Sequence, residues 1–461
     1  MPRHKPLHYL LLILSLALYL FMAYRLQRHE TTWLIRSYSV LFVLYAWICF
    51  ISKPVDTNFW LYAAVLFRLA LIAAIPNLSD DFYRFIWDGR LLANGYHPFA
   101  HIPSDYLQDG VSIEGIDPSL FYNLNSPNYF TVYPPLAQFT FWVAAKLFPN
   151  SITGSVITLR CFALLAEFGN LWLLKKLLHT FNIPSNRIVL YALNPLIILE
   201  LTGNLHHESI LLFFILLSVW FLHRNRVWSA GISFAAAVCA KLIPLIFLPL
   251  LLPRLGWKKA FTFYVVTAFA TLTFFAPLLS WEIIEGLNQS IGYYFRQFEF
   301  NASILQIVLA FGYRFYGYNI LETAGWILGL TGTLFILYYS FKSWRSTQNQ
   351  IHASVANPAL LTAFLFVLFI YLIFSTTVHP WYITTLLAFS VFTPYRFVFI
   401  WTYLIFFTYA GYRKEYFTEN YRIVALEYII MFGFLAYELY QRKHDRPKDT
   451  PADVNHQHAL P

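Results

Sequence analysis

The chain has 461 residues, 58% of them hydrophobic and only 12% charged, with a mean hydropathy of +0.54. Soluble domains carry about 45–50% apolar and about 25% charged residues. Charge this scarce cannot clothe a soluble surface, which excludes a soluble enzyme, a nucleic-acid binder and a disordered chain. Repeated apolar runs of spanning length instead indicate a polytopic membrane protein, whose basic cytoplasmic loops account for the net charge of +9.

In chain order, Met1–Lys5 precede an apolar run at 9–24 that has no small-x-small cleavage site and is followed at once by another run. It therefore reads as the first spanning helix and not as a signal peptide. Further runs lie near 35–52, 58–76, 155–178, 187–203, 208–222, 228–240, 242–252, 260–279, 321–341, 359–378, 382–395, 397–412 and 423–440. The expectation is an all-α polytopic membrane bundle of about 12–14 helices. It would form one domain over 1–440, with a disordered cytoplasmic tail at 441–461. Cys49, Cys161 and Cys239 lie far apart inside apolar runs and read as small core residues.

Two polar stretches interrupt the runs, 77–155 and 280–320. Arg3 and Lys5 place the N-terminus in the cytoplasm, so three crossings bring 77–155 to the extracytoplasmic face. The basic stretches at 175–187, 223–226, 254–259 and 342–345 then fall inside, whereas Arg25, Arg28 and Lys53 do not discriminate and Arg413, Lys414 and Arg422 fall on the wrong side of this scheme. This scheme requires the segment 133–149 to lie along or dip into the outer surface, its helix started by Pro134 and Pro135.

The densest chemistry follows the third run. Asp80 and Asp81 open a stretch with apolar residues at helical spacing and with Arg84, Asp88 and Arg90. This is more than the capping of an interfacial helix requires. A second cluster, Asn204, His206, His207 and Glu208, sits between two runs, where polar residues are costly. Its adjacent histidines do not match a helical zinc site, but they suit a polar contact to substrate. Lys241 interrupts an apolar run before Pro244, and a helix break there would turn it outward. His379, Trp381 and Tyr382 lie between two spans on the same predicted face, and Asn301 lies in the second polar stretch.

The segment SDDFYRFIWDGRLLANGYHPF resembles the first outer loop of the GT-C superfamily of polyprenol-phosphate-sugar-dependent glycosyltransferases. It is most similar to the bacterial polyprenol-phosphomannose-dependent mannosyltransferase group. Tyr133-Pro134-Pro135, Asn194-Pro195, Asn204 to Glu208, Lys241, Asn301 and His379 to Tyr382 follow in that group's order. Phe85, His97 and His207-Glu208 depart from its pattern. The resemblance implies an inverting membrane hexosyltransferase that moves mannose from a polyprenyl-phosphate donor to an extracytoplasmic glycan, lipid or protein acceptor. Asp80 or Asp81 would be the catalytic base. Arg84, Arg90, Lys241 and His379 would face the donor phosphate. Trp87, Asp88, Tyr133, Asn204, His206, His207, Glu208, Asn301, Trp381 and Tyr382 would contact substrate. A divalent ion, Mg2+ or Mn2+, would draw on Asp80, Asp81, His207 and Glu208. The location expected is the bacterial inner membrane, and the rival reading is a lipid-sugar flippase without transferase activity.

Overall fold

The computed structural model describes residues 6–108, 112–296, 298–347, 356–414 and 416–444. Among them the regular elements are helices, and strand pairing is confined to isolated bridges such as Phe300 to Thr377. Six helices are long and apolar enough to cross a bilayer: Pro6–Tyr24, Thr31–Ile51, Ile152–Thr180, Ile243–Leu278, Leu321–Ser343 and Tyr421–His444. Pro195–Gly203 and Glu208–His223 form a further pair bent by 109°. Shorter apolar helices, Val227–Ala240, Ile304–Tyr316, Pro358–Phe374 and Phe397–Gly411, accompany them. The protein is an all-α, multi-pass membrane protein.

Some sequence boundaries shift. The runs near 242–252 and 260–279 join into one helical stretch, kinked where Gly256 takes a φ of 70°. The run at 382–395 yields only the short helix Tyr382–Ser390. The polar stretches are not open loops. The first folds into Asp81–Ala93, Pro103–Gln108, Pro118–Tyr122 and Pro135–Leu147, the second into Trp281–Arg296 and Ile304–Tyr316. The last helix runs to His444, so Gln441–His444 are helical and not tail, and the tail reading for 445–461 lies outside the described residues.

Two apolar cores matter for the site. The larger unites the long helices. The smaller joins Phe82, Phe85, Ile86, Trp87 and Leu91 to Phe141, Ala144, Val156 and Leu159. Helices Asp81–Ala93 and Pro135–Leu147 pack closely there because Gly89 has no side chain. A Cβ at Gly89 would lie 2.3 Å from the Phe141 carbonyl oxygen. Within the larger core, Arg68 and Glu167 form a fully buried ion pair at 2.9 Å that also accepts the Tyr191 hydroxyl, so both charges are satisfied without water.

The helices also sort polar groups between the two ends of the bundle. At one end Lys175 donates to Asn58, Arg187 to the Thr393 carbonyl and Lys259 to Asn225. At the other end stand Asp80, Asp81, Glu208 and Lys241 with their partners.

Candidate active site

The site starts where the third helix ends. The Asn77 side-chain amide donates to the Met22 and Leu26 carbonyls, both at 2.6 Å, and so ties the approach to Asp80 to the turn that follows the first helix. Asp80 stands at the N-cap position of Asp81–Ala93, yet its side chain caps nothing and instead pairs with Arg28. Asp81, the first helical residue, accepts from Asn125 Nδ2 at 2.6 Å, and its carboxylate lies 3.8 Å from His206 Nε2. Burial pushes Asp80 above the usual carboxylate range despite Arg28. Burial also pushes Asp81 upward, but His206 and Asn125 outweigh it and leave Asp81 below that range.

His206 is held from behind. Its Nδ1 lies 3.2 Å from Glu200 Oε2, and the fully buried Glu200 also accepts from Tyr409 at 2.7 Å and Asn204 at 3.1 Å. Glu200 belongs to the π-helical turn Ile198–Gly203, whose last carbonyls, of Thr202 and Gly203, accept from Arg160 at 2.8 and 2.9 Å. Between Asn204 and His206 the chain passes through Leu205 with a φ of 67°, a left-handed conformation costly for leucine.

Three aromatic rings continue the cluster. Trp381 stacks on His206 at 3.7 Å and 14°, and His379 stacks on Trp381 at 4.3 Å and 7°. Tyr382 meets His379 edge-on at 5.4 Å, and Lys241 Nζ lies 4.2 Å from the centre of the Tyr382 ring. Lys241 reaches that position because helix Val227–Ala240 stops just before it and the backbone turns extended. Its ammonium pairs with Glu208. The structure thus links Asp81, His206, Trp381, His379, Tyr382, Lys241 and Glu208 in one chain of contacts, with Asp80 beside Asp81 and paired to Arg28. Asp81, Asp80 and Lys241 keep 21%, 32% and 27% of their side chains exposed, so reagents can reach all three.

Other expected site residues go elsewhere. Arg84 is buried, bonds Asp88 at 2.7 Å and donates to the Ser126 and Tyr129 carbonyls, so it does not face a donor phosphate. Asp88 is buried too and also accepts from Thr131 and Gln138. Arg90 is buried against the Gly115 carbonyl, and Trp87 lies in the smaller core. These four residues fasten the helix to its surroundings, and the fully buried Trp87 and Asp88 offer no surface to a substrate. Tyr133 packs edge-on against Phe85 and Phe141, and His207 joins the same rings with Thr140 at 3.2 Å from its Nε2. Asn301 is buried and bonded to Glu427, and Asn204 serves Glu200. His379 is not the cation expected. Burial pushes it down to about 3, and Lys241 and His206 add to this against Asp81, so the ring is neutral near neutral pH.

The proposed metal ligands diverge in the same way. Asp80 meets Arg28, Asp81 meets Asn125 and His206, His207 meets Thr140 and Glu208 meets Lys241. Among the described residues no three His, Cys, Asp or Glu side chains are gathered to hold an ion, so these residues do not fit one as arranged.

Arg28, Asn125, Glu200, Tyr409 and Tyr412, whose ring centre lies 4.8 Å from the Arg28 guanidinium carbon, escaped the sequence reading. Glu200 did carry a signal, a lone acid inside the apolar run 187–203, where ionisable residues are functional by default. Arg28 and Asn125 carried none, because only the folded chain brings them to the aspartates.

Fold and site together define a multi-pass membrane protein with a largely buried, reachable acid–base cluster gathered at one end of its helices. The chain belongs to the family described as alpha-(1->6)-mannopyranosyltransferase, N-terminal domain, whose model matches residues 11–256. It is similar to the alpha-(1->6)-mannopyranosyltransferase B of Corynebacterium glutamicum, with 27% identity over 150 residues, 32% of this chain and 24% of that protein. It is also similar to the alpha-(1->6)-mannopyranosyltransferases A of the same organism and of Mycobacterium tuberculosis. Identity is 22% to each, over 41% and 50% of this chain and 36% and 45% of theirs. The matched stretches thus span less than half the length of these curated relatives. The family match contains Asp80, Asp81, His206, Glu208 and Lys241 and stops short of His379, Trp381 and Tyr382.

Proposed function

We propose that the protein is an inverting membrane mannosyltransferase that uses a polyprenyl-phosphate-linked mannose and works at the extracytoplasmic face of the inner membrane. One observation carries the reading. In a chain of this family, a reachable Asp81 is held by Asn125 and His206 and linked through Trp381, His379 and Tyr382 to a cation, Lys241.

The donor already carries a good leaving group, so the acceptor must become a better nucleophile. The Asp81 carboxylate takes the acceptor hydroxyl's proton as that oxygen bonds to the anomeric carbon from the side opposite the phosphate. The carbon–oxygen bond to phosphate breaks with its electron pair on phosphate, and polyprenyl phosphate departs. Lys241 stabilises the charge gathering on the departing phosphate. Trp381, covered on its faces by His206 and His379, positions both rings, Tyr382 offers an apolar edge to the sugar, and neutral His379 offers a hydrogen bond. Residues 1–440 act as one catalytic unit around this site.

Purified protein in nanodiscs should release polyprenyl phosphate and transfer mannose, with inversion, from polyprenyl-phosphomannose and not from a nucleotide-mannose. Transfer from the nucleotide sugar alone would overturn the donor assignment. Mass spectrometry of envelope glycolipids from a deletion strain should name the acceptor through the mannose it lacks. For the sidedness, a cysteine at position 105 should be labelled from outside intact cells and one at 258 only after permeabilisation.

A further inference from the structure

Arg28 does not behave like the other arginines near the aspartates. Arg84 and Arg90 are buried where no ligand reaches them, Arg84 bonded to Asp88 and to the Ser126 and Tyr129 carbonyls and Arg90 to the Gly115 carbonyl through one nitrogen, whereas the Arg28 side chain is 30% exposed. Of the five N–H donors a guanidinium carries, one nitrogen, Nη2, meets Asp80, and among the described residues this is its hydrogen-bonding contact. Its carbon lies 4.8 Å from the centre of the Tyr412 ring, which steadies the plane without using a donor. Two ties fix the turn that bears it: Asn77 holds the Met22 and Leu26 carbonyls, and the Tyr24 hydroxyl bonds the Ala70 carbonyl at 2.9 Å.

The charge balance gives this position a purpose. Asp80, Asp81, Glu200 and Glu208 cluster at this end of the bundle, so an arriving phosphate anion meets carboxylates first. Of the basic side chains set against them, His206 is buried between Asp81 and Glu200, whereas Arg28 and Lys241 are each held by a carboxylate and each partly exposed. A guanidinium with free donors in a fixed fork matches phosphate oxygens better than it matches one oxygen of Asp80.

We propose that Arg28 is a ligand of the donor's phosphate, held by Asp80 until a polyprenyl phosphate group takes its place. The assignment rests on the polyprenyl-phosphate reading above and adds to it a residue from the first interhelical turn, beside the ammonium of Lys241. Asp80 then acts as a competitor for Arg28, and Asp81 as the base.

The two partners should respond with opposite signs. Binding of a short-chain prenyl phosphate to the full chain in nanodiscs should weaken about tenfold or more in Arg28→Gln, as expected for a lost charge-assisted contact. Arg28→Lys should recover part of the loss. Asp80→Asn should bind prenyl phosphate more tightly than wild type, because the competing carboxylate is gone. Arms with inorganic phosphate and with the unphosphorylated prenol should show whether the headgroup alone suffices. Unchanged binding in Arg28→Gln overturns the assignment. So does weakened binding in Asp80→Asn, which would make the pair a structural tie, and this second variant decides the matter even where Arg28→Gln fails to fold. Wild type that binds no prenyl phosphate removes the donor reading as well, whereas binding that survives Arg28→Gln removes the Arg28 assignment alone.

Discussion

Asp81 and Asp88 lie about two turns apart on one helix, each beside a basic side chain, yet the fold treats them differently. Asp81 sits at the helix start with 21% of its side chain exposed, and His206 comes to it from a distant part of the chain at 3.8 Å. Asp88 sits in the helix middle, fully buried, and its cation Arg84 comes from the preceding turn of the same helix at 2.7 Å. One pair can be reached by an acceptor and is completed by tertiary structure. The other is sealed, and every oxygen of Asp88 is bonded to Arg84, Thr131 or Gln138. The difference separates an acid that can be reached from one that fastens the helix, and local residue pattern does not reveal it.

The sharpest way to break the comparison is to neutralise both acids in turn. Asp81→Asn should lower mannosyl transfer by about 10²-fold or more, the scale of a lost general base. Its thermal stability in detergent and its binding of donor lipid should stay near wild type. Asp88→Asn should do the reverse: it leaves Arg84 buried without its counter-charge, at a cost of about 3–5 kcal/mol, and should show as early unfolding and poor yield. Asp81→Asn with normal turnover, or Asp88→Asn with normal stability and lost turnover, would exchange the roles.

Gly89→Ala tests the fastening without touching charge. The added methyl meets the Phe141 carbonyl oxygen at 2.3 Å, so the two helices must separate, at about 1–3 kcal/mol for overpacking. A lowered melting temperature is expected, and wild-type stability would show that the helices are not locked at this point. Lys241→Met sits on the chemical side and should cost about 2–4 kcal/mol in the transition state through an unpaired phosphate charge. Unchanged kcat and donor KM would return Lys241 to a plain ion pair with Glu208.

Composition and apolar runs made the membrane class and the approximate spans legible, because bilayer thickness imposes a length that the sequence must meet. The break at Lys241 was legible too, since Pro244 cannot lend an N–H to a continuing helix. The aspartates, the His206–Glu208 stretch and the His379–Tyr382 stretch were picked out by the cost of placing polar groups between apolar runs. Which way each side chain turns was not legible. Arg84 and Asp81 are close in sequence and nearly share a helical face, yet Asp88 and the Ser126 and Tyr129 carbonyls hold Arg84 buried. Arg28 was invisible because its meaning lies in a contact across 52 residues, fixed by Asn77. That contact also explains its poor fit to the charge rule: Arg28 is at the acid end of the bundle as a partner of Asp80.

The smallest expected effect is a displacement in pH. Asp81 lies below the usual carboxylate range because His206 and Asn125 together outweigh its burial. A base works only when unprotonated, so the acid limb of kcat/KM should fall at lower pH than for an ordinary aspartate. The same depression contributes stability that is present above the unfolded-state pKa and lost as pH falls through the folded one. Asn125→Ala removes the 2.6 Å bond and leaves the burial in place, so the Asp81 pKa must rise. The acid limb should therefore move to higher pH while the plateau near neutral pH, where Asp81 is ionised in both proteins, stays close to wild type. Asp88→Asn protein should keep its limb where wild type has it, because the sealed Asp88 does not contact Asp81 or its partners. A limb unmoved by Asn125→Ala would mean that the ionisation setting the limb is not that of Asp81, and the distinction between the two aspartates would then need another basis.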